Sequence, residues 1–197
     1  MSRDGTGRGT LFIVSAPSGA GKTSLANALA QRLPAISLSV SHTTRPIRPG
    51  ETDGAHYHFV DDDMFDSMVT GDAFLEHADV FGHRYGTARA PLEERLEAGA
   101  DVILEIDWQG ARQVRVAVPE AVSIFILPPS RETLLERLRS RGKDSEAVIE
   151  RRMAAAGEEL SHQDEFDHRV VNDDFETAVE ELAAIVVGLR QPVPGPP

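Results

Sequence analysis

Cysteine is absent from this 197-residue chain. That absence excludes a disulfide scaffold, a thiolate zinc site and a cysteine nucleophile, and it suits a reducing compartment. Long apolar runs are missing too, since nothing approaches the roughly 18 to 20 residues that a membrane span requires. The opening stretch, Met1 to Thr10, is polar and glycine-bearing and lacks the apolar centre of a secretory signal, so a soluble, unprocessed, cytoplasmic protein is expected. Positive charge is scarce, with 20 Lys+Arg against 32 Asp+Glu and a net charge of -12. Such a chain is ill suited to coating nucleic acid, where affinity comes from a basic surface, but it can still hold a small anion in a locally positive cleft. Apolar content, by contrast, is ample. With 41% hydrophobic residues, the chain can build one well-buried domain and is too short for two large ones, and disorder is excluded for its bulk.

The first nine residues and the closing Gln191 to Pro197 carry no apolar periodicity and read as loose tails. Between them, Leu11 to Val14, Val102 to Ile106 and Val122 to Leu127 are short continuous apolar runs, as expected of strands buried on both faces of a parallel sheet. Leu25, Leu29 and Leu33 recur at helical spacing after the first run. A second helical pattern runs from Phe175 through Leu182 to Leu189, with Asn172 or Asp173 as its expected cap. Strand and helix alternate, which implies an α/β sandwich with right-handed crossovers. Ser41 to Thr87 differs: turn residues separate short extended pieces around one helix near Asp62 to Val69, so this stretch is expected to be a small insertion.

The first apolar run leads into Ala16, Pro17, Ser18, Gly19, Ala20, Gly21, Lys22, Thr23 and Ser24, and then into the leucine-spaced helix. That is the strand, glycine-bearing loop and helix start of an ATP-binding phosphate loop. Backbone N–H groups and the helix dipole face the phosphates, Lys22 reaches the β and γ oxygens, and Thr23 can hold Mg²⁺. Ala16 stands where the standard pattern has glycine, so the first turn must tolerate a Cβ. One of only two lysines in the chain lies in this loop. Further on, Arg45 and Arg48 lie three apart in a proline-stiffened turn, with hydroxyl residues before them and Tyr57 after. Guanidinium forks pair bidentately with phosphate oxygens, so the turn can clamp a second phosphate, although alone the pattern equally suits a solvated loop.

Taken together, Ala16 to Ser24, Ser41 to Tyr57, Glu76 to Thr87, Glu105 to Gly110 and Arg137 to Arg152 closely resemble the bacterial guanylate kinases, from about Thr10 to Arg190. The resemblance implies a three-layer α/β P-loop fold with a parallel core sheet (about 10–40, 90–136 and 168–190), an inserted β-rich GMP-binding region (about 41–89) and a helical lid (about 137–167). It implies ATP and GMP as substrates, Mg²⁺ as cofactor, and GDP and ADP as products, with dGMP as a further acceptor. Ser41, Glu76 and Asp107 would address the guanine base. Arg45, Arg48, Tyr57 and Tyr85 would bind the GMP phosphate, and Thr87 would stand where the family has a small hydroxyl residue contacting the nucleotide. Arg137, Arg141 and Arg152 would be lid arginines folding onto the transferring phosphates. Lys143 departs from the threonine usual after Arg141 and Gly142.

Elementary chemistry agrees with the base assignment. Guanine offers N1–H and N2–H₂ as adjacent donors, which one carboxylate can accept, while a hydroxyl can donate to O6; adenine has no such donor pair. Asp107 follows a buried strand, and ligands bind beyond strand C-termini in open α/β sheets. Glu105 at the end of that strand is a candidate Mg²⁺ contact through water. A histidine metal site at His56 and His58 near Asp61 to Asp63 is set aside, because alternation on a half-exposed strand followed by an acidic helix start explains those residues. Two other readings stay open: a P-loop kinase for another monophosphate, and a non-catalytic interaction module of the same fold. Oligomeric state is not legible.

Overall fold

The computed structural model describes residues 7–140 and 145–190. Both terminal tails beyond these, and Arg141 and Lys143, lie outside the described residues. The chain divides into two compact units, Met1–Ser15 with Ala35–Ser123, and Ala16–Pro34 with Ile124–Pro197.

The first unit carries three parallel strands in the order β2 (Ile36–Leu38), β7 (Asp101–Glu105), β1 (Leu11–Ser15). β1 is buried along its whole length, as its uninterrupted apolar run requires of a strand covered on both faces. The chain is tied down just before β1: Gly9 N–H donates to the Leu96 carbonyl, and Thr10 N–H donates to the buried Asp101 carboxylate at 2.7 Å. β7 leads into α4 (Trp108–Ala117), which Asp107 caps by accepting from Gly110 N–H at 2.9 Å.

The insertion is a second sheet of order β4 (His58–Phe59), β3 (His42–Thr43), β6 (His83–Ala88), β5 (Phe74–Val80), with β3 and β4 parallel and the other pairs antiparallel. β5 and β6 meet at Phe81 and Gly82, both at positive φ (52° and 79°), which is the two-residue geometry that matches strand twist. Helix α2 (Asp62–Thr70) starts at Asp61, whose carboxylate accepts from Met64 N–H, and α2 buries Phe65 against Phe74. The edge strand β5 is tied to α4 by Gln113, whose amide donates to the His77 carbonyl and accepts from its N–H. Helix α3 (Arg89–Glu97) links this sheet to β7 along the chain.

His42 is the weak point of that sheet. Its ring stacks 4.6 Å from that of His58, and its Nδ1 is buried without a hydrogen bond. Burial first and the neighbouring His58 second hold its pKa below the ordinary 6.5, with Asp53 opposing. The folded state therefore binds fewer protons than the unfolded one, so stability is fully present above the ordinary value and falls as pH drops below it. Urea midpoints compared at pH 7.5 and 5.5 are expected to show a smaller acid-side loss in His42→Leu than in the wild-type chain.

The second unit holds α1 (Lys22–Arg32), the part of β8 (Val122–Leu127) from Ile124 onward, α5 (Arg131–Ser140), α6 (Glu146–Ser161), β9 (His168–Val171) and α7 (Phe175–Arg190). β8 and β9 pair in parallel, Ile124 with His168 through Leu127 with Val171. Leu134 and Leu138 of α5 bury against Ile149, Met153 and Ala156 of α6. The cap of α7 is neither Asn172 nor Asp173. Asp174 takes that place, its carboxylate accepting from Thr177 N–H at 2.9 Å and Thr177 Oγ1 at 2.7 Å. Asn172 is drawn inward instead, for a reason given below.

Candidate functional site

The phosphate loop follows β1 directly. Gly19 and Gly21 sit at φ 102° and 94°, a region that side-chain-bearing residues rarely enter, and Ala20 N–H closes a turn on the Pro17 carbonyl. Ala16 is buried without a positive φ, so the glycine missing at that position is not required by the backbone. Gly21 is the N-cap of α1 and no side chain caps the helix. Helix N-termini of this kind bind anions through their backbone N–H groups, and Lys22 is the first helical residue.

Two residues that the sequence does not assign to this loop hold it. Asn172 is buried; its Nδ2 donates to the Ala20 carbonyl at 2.7 Å, its own N–H donates to the Leu127 carbonyl, and its carbonyl accepts from Arg137 Nη2 at 3.0 Å. A Cβ on Gly21 would stand 2.4 Å from Asn172 Nδ2, so the glycine is required by contact as well as by φ. Glu159 of α6 accepts from Ser18 N–H at 3.2 Å. A polar residue at a strand end reads from sequence as a helix cap, and nothing in its neighbours signals a partner 152 positions away. Beside the loop opens a cavity of about 300 Å³, lined by Gly19, Gly21, Ser24, Arg137, Asn172 and Phe175 among others. Arg137 is thus placed at this cavity. Arg152 lies on α6, and Arg141 falls outside the described residues.

The residues expected to read the acceptor lie together in the first unit. Glu76 on β5 is only 3% exposed, and its Oε1 accepts from the Thr87 hydroxyl of β6 at 2.6 Å; the Thr87 oxygen lies 3.3 Å from Ser41 Oγ. Gly110 makes room for that carboxylate, because a Cβ there would stand 2.4 Å from Glu76 Oε2. Asp107 is already engaged: one oxygen caps α4 and the other accepts from Gln109 Nε2 at 3.0 Å.

Arg45 is 6% exposed and lies 5.3 Å from the Tyr57 ring centre and 5.6 Å from that of Phe59. Its guanidinium makes a two-pronged pair with Glu51, a residue the sequence reading did not single out. Donating these hydrogen bonds to Glu51 raises the Arg45 pKa, and accepting them lowers that of Glu51. Burial pushes the Tyr57 phenol up, with Tyr85 and Glu105 adding to the effect, so the hydroxyl stays a proton donor at neutral pH. The Tyr57 and Tyr85 rings are 5.8 Å apart, and Arg48 is exposed on the turn. The structure therefore brings Arg45, Tyr57 and Tyr85 to one place, and Glu76, Thr87 and Ser41 to another within the same unit.

Among the described residues no cluster of three or more His, Cys, Asp or Glu side chains could cage a metal, and no helix is long and apolar enough to cross a membrane. Thr23, exposed in the first turn of α1, and Glu105 at the end of β7 are hard oxygen donors. Each by itself is the kind of ligand taken by Mg²⁺ carried on substrate phosphates, an ion that keeps most of its own water and takes few protein ligands.

Comparison with known proteins gives one consistent result. A family model described as Guanylate kinase matches residues 8–188. A relative from Nitrosococcus oceani named Guanylate kinase is 63% identical over 182 residues, covering 92% of this chain and 90% of the relative. Another of the same name, from Alkalilimnicola ehrlichii, is 60% identical over 182 residues with the same coverage, 92% and 90%. Among solved structures, the guanylate kinase from Anaplasma phagocytophilum superposes with a TM-score of 0.80 at 34% identity, covering 95% of this chain and 89% of that one.

Proposed function

The chain belongs to the guanylate kinase family, which makes it an ATP-dependent kinase converting GMP to GDP, and from that premise we propose how its residues divide the work. Glu76 accepts the guanine N1–H and N2–H₂ pair, Ser41 donates to O6, and Thr87 fixes the carboxylate between them. Asp107 supports the base from the start of α4. Arg45, Arg48, Tyr57 and Tyr85 hold the acceptor phosphate. The loop from Ala16 to Ser24 cradles the ATP phosphates, and Lys22 neutralises the β and γ oxygens. Residues 41–89 serve as the acceptor region and about 137–167 as the lid, whose Arg137, Arg141 and Arg152 offset charge on the transferring group.

No side-chain base is needed. A phosphate monoester has its second pKa near about 6, so an acceptor oxygen is already ionised at neutral pH and attacks the γ-phosphorus as the bond to the ADP oxygen breaks. What this chain supplies is alignment and charge neutralisation. Bound Mg²⁺, held by Thr23 and through water by Glu105, would supply further charge neutralisation on the ATP phosphates. Folding of the lid over the phosphates would exclude water that otherwise hydrolyses ATP. A cytoplasmic location, action on free nucleotides rather than nucleic acid or membranes, and use of dGMP complete the reading.

The observation that carries the proposal is the buried Glu76 carboxylate, held by Thr87 in the space that Gly110 leaves. ADP release with Mg·ATP and GMP, dGMP, AMP, UMP or CMP in turn tests it. Turnover with GMP and dGMP alone is expected. Equal turnover with AMP, or with a pyrimidine monophosphate, would favour a kinase of other specificity, and no acceptor-dependent release would favour an interaction module.

A further inference from the structure

Arg45 carries five N–H donors, and Pro46 and Glu51 take up three contacts on one edge of the group. Nη1 donates to the Pro46 carbonyl at 2.8 Å and to Glu51 Oε2 at 3.0 Å, and Nη2 donates to Glu51 Oε1 at 2.8 Å. Glu51 thus occupies the terminal edge of the guanidinium. Nε–H and the second Nη2–H point the same way along the other side of the planar group and match the spacing of two phosphate oxygens, and the Tyr85 hydroxyl is a further hydrogen-bond partner of the same guanidinium.

Glu51 is not a loose side chain that happens to fall there. Its backbone N–H donates to the Arg48 carbonyl at 3.0 Å, and its Oε2 accepts from Arg48 N–H at 2.8 Å. Two opposed bonds therefore close the turn from Arg48 to Glu51, in which Gly50 takes a φ of 86°. The same carboxylate grips Arg45 on one side and the backbone that carries Arg48 on the other. In charge, its close pair is with Arg45, which is buried, while Arg48 stays exposed on the turn and also acts on the same carboxylate through its charge.

We infer that Glu51 is a positioning residue of the acceptor-phosphate site: its carboxylate takes the terminal edge of the Arg45 guanidinium, so the Nε/Nη2 edge becomes the fork offered to a phosphate monoester, and it fixes the turn that presents Arg48. This rests on the assignment of Arg45 and Arg48 to the acceptor phosphate. Arg45 then supplies directed donors and Arg48 supplies net charge. The opposite role, a carboxylate that competes with phosphate and must leave before it binds, would require breaking the bonds to Arg45 and Arg48 together. The two roles predict opposite signs for the loss of Glu51's charge.

The test is calorimetric binding of GMP and of guanosine to the full chain, comparing wild type with Glu51→Gln and Glu51→Asp. Guanosine keeps the base and lacks the phosphate, so it reports whether the rest of the site is intact. Glu51→Gln keeps the length and an acceptor oxygen but removes the charge. It is expected to weaken GMP about tenfold or more while guanosine stays within about twofold, with Glu51→Asp in between because the carboxylate is retained at shorter reach. Unchanged or tighter GMP binding by Glu51→Gln overturns the inference in favour of no role or of competition. Equal weakening of GMP and guanosine overturns it in favour of a general role in folding the turn. Binding is read without turnover, so a failure of the kinase assignment would appear separately, as a wild-type chain that binds GMP and does not phosphorylate it.

Discussion

Glu76→Gln is expected to lower kcat/KM for GMP by roughly 10²- to 10³-fold while leaving that for AMP within about threefold, so the preference between the two purines narrows by the same factor. The size follows from where the carboxylate sits. Glu76 is almost fully buried and has one oxygen engaged by Thr87, so a guanine donor pair meets an acceptor already stripped of water and held in place. An amide in that position presents one acceptor and one donor, and the donor faces a guanine N–H. AMP loses nothing, because adenine brings no donor pair to the carboxylate in the first place. Steady-state kinetics with each nucleotide check this, and a GMP value within threefold of wild type would refute the assignment of the base.

Lys22→Ala is expected to reduce kcat by roughly 10²- to 10³-fold and to leave the calorimetric Kd for GMP within about twofold. Lys22 begins α1 behind a glycine N-cap with no side-chain cap, and in the proposed reading the helix N–H groups and the ammonium would act on the same phosphates. Lys22→Arg should not restore the rate, since a planar fork does not replace a compact point charge in a tight backbone cradle. The residues proposed to hold the acceptor belong to a different compact unit from the loop, so GMP binding is expected to report on them alone. A loss of GMP affinity matching the loss of rate would contradict this division of labour.

Local pattern made much of this legible. The acidic start of α2 and its length, the apolar runs of β1, β7 and β8, and the glycine loop were readable because each is fixed by neighbours within a few positions. The side chains that hold the sites were not. Asn172 reads as a helix cap until the Ala20 carbonyl claims it, which left Asp174 to cap α7. Glu51 reads as one more acidic residue in a turn, and only folding shows that it faces Arg45 rather than water. A spacing of three from Arg48 across a proline-glycine turn is the one signal that could have pointed to it. Gly110 reads as a poor helix residue; its reason is the Glu76 carboxylate, which a Cβ would displace. Buried polar groups find partners far along the chain, and sequence periodicity carries no record of those pairings.

The most direct measurement is a crystal structure of this chain with GMP bound. Guanine N1 and N2 within about 2.7–3.2 Å of the Glu76 carboxylate, with the phosphate on the Nε/Nη2 edge of Arg45, is the predicted result. A base turned away from Glu76, or a phosphate seated elsewhere than at Arg45 and Arg48, would contradict it.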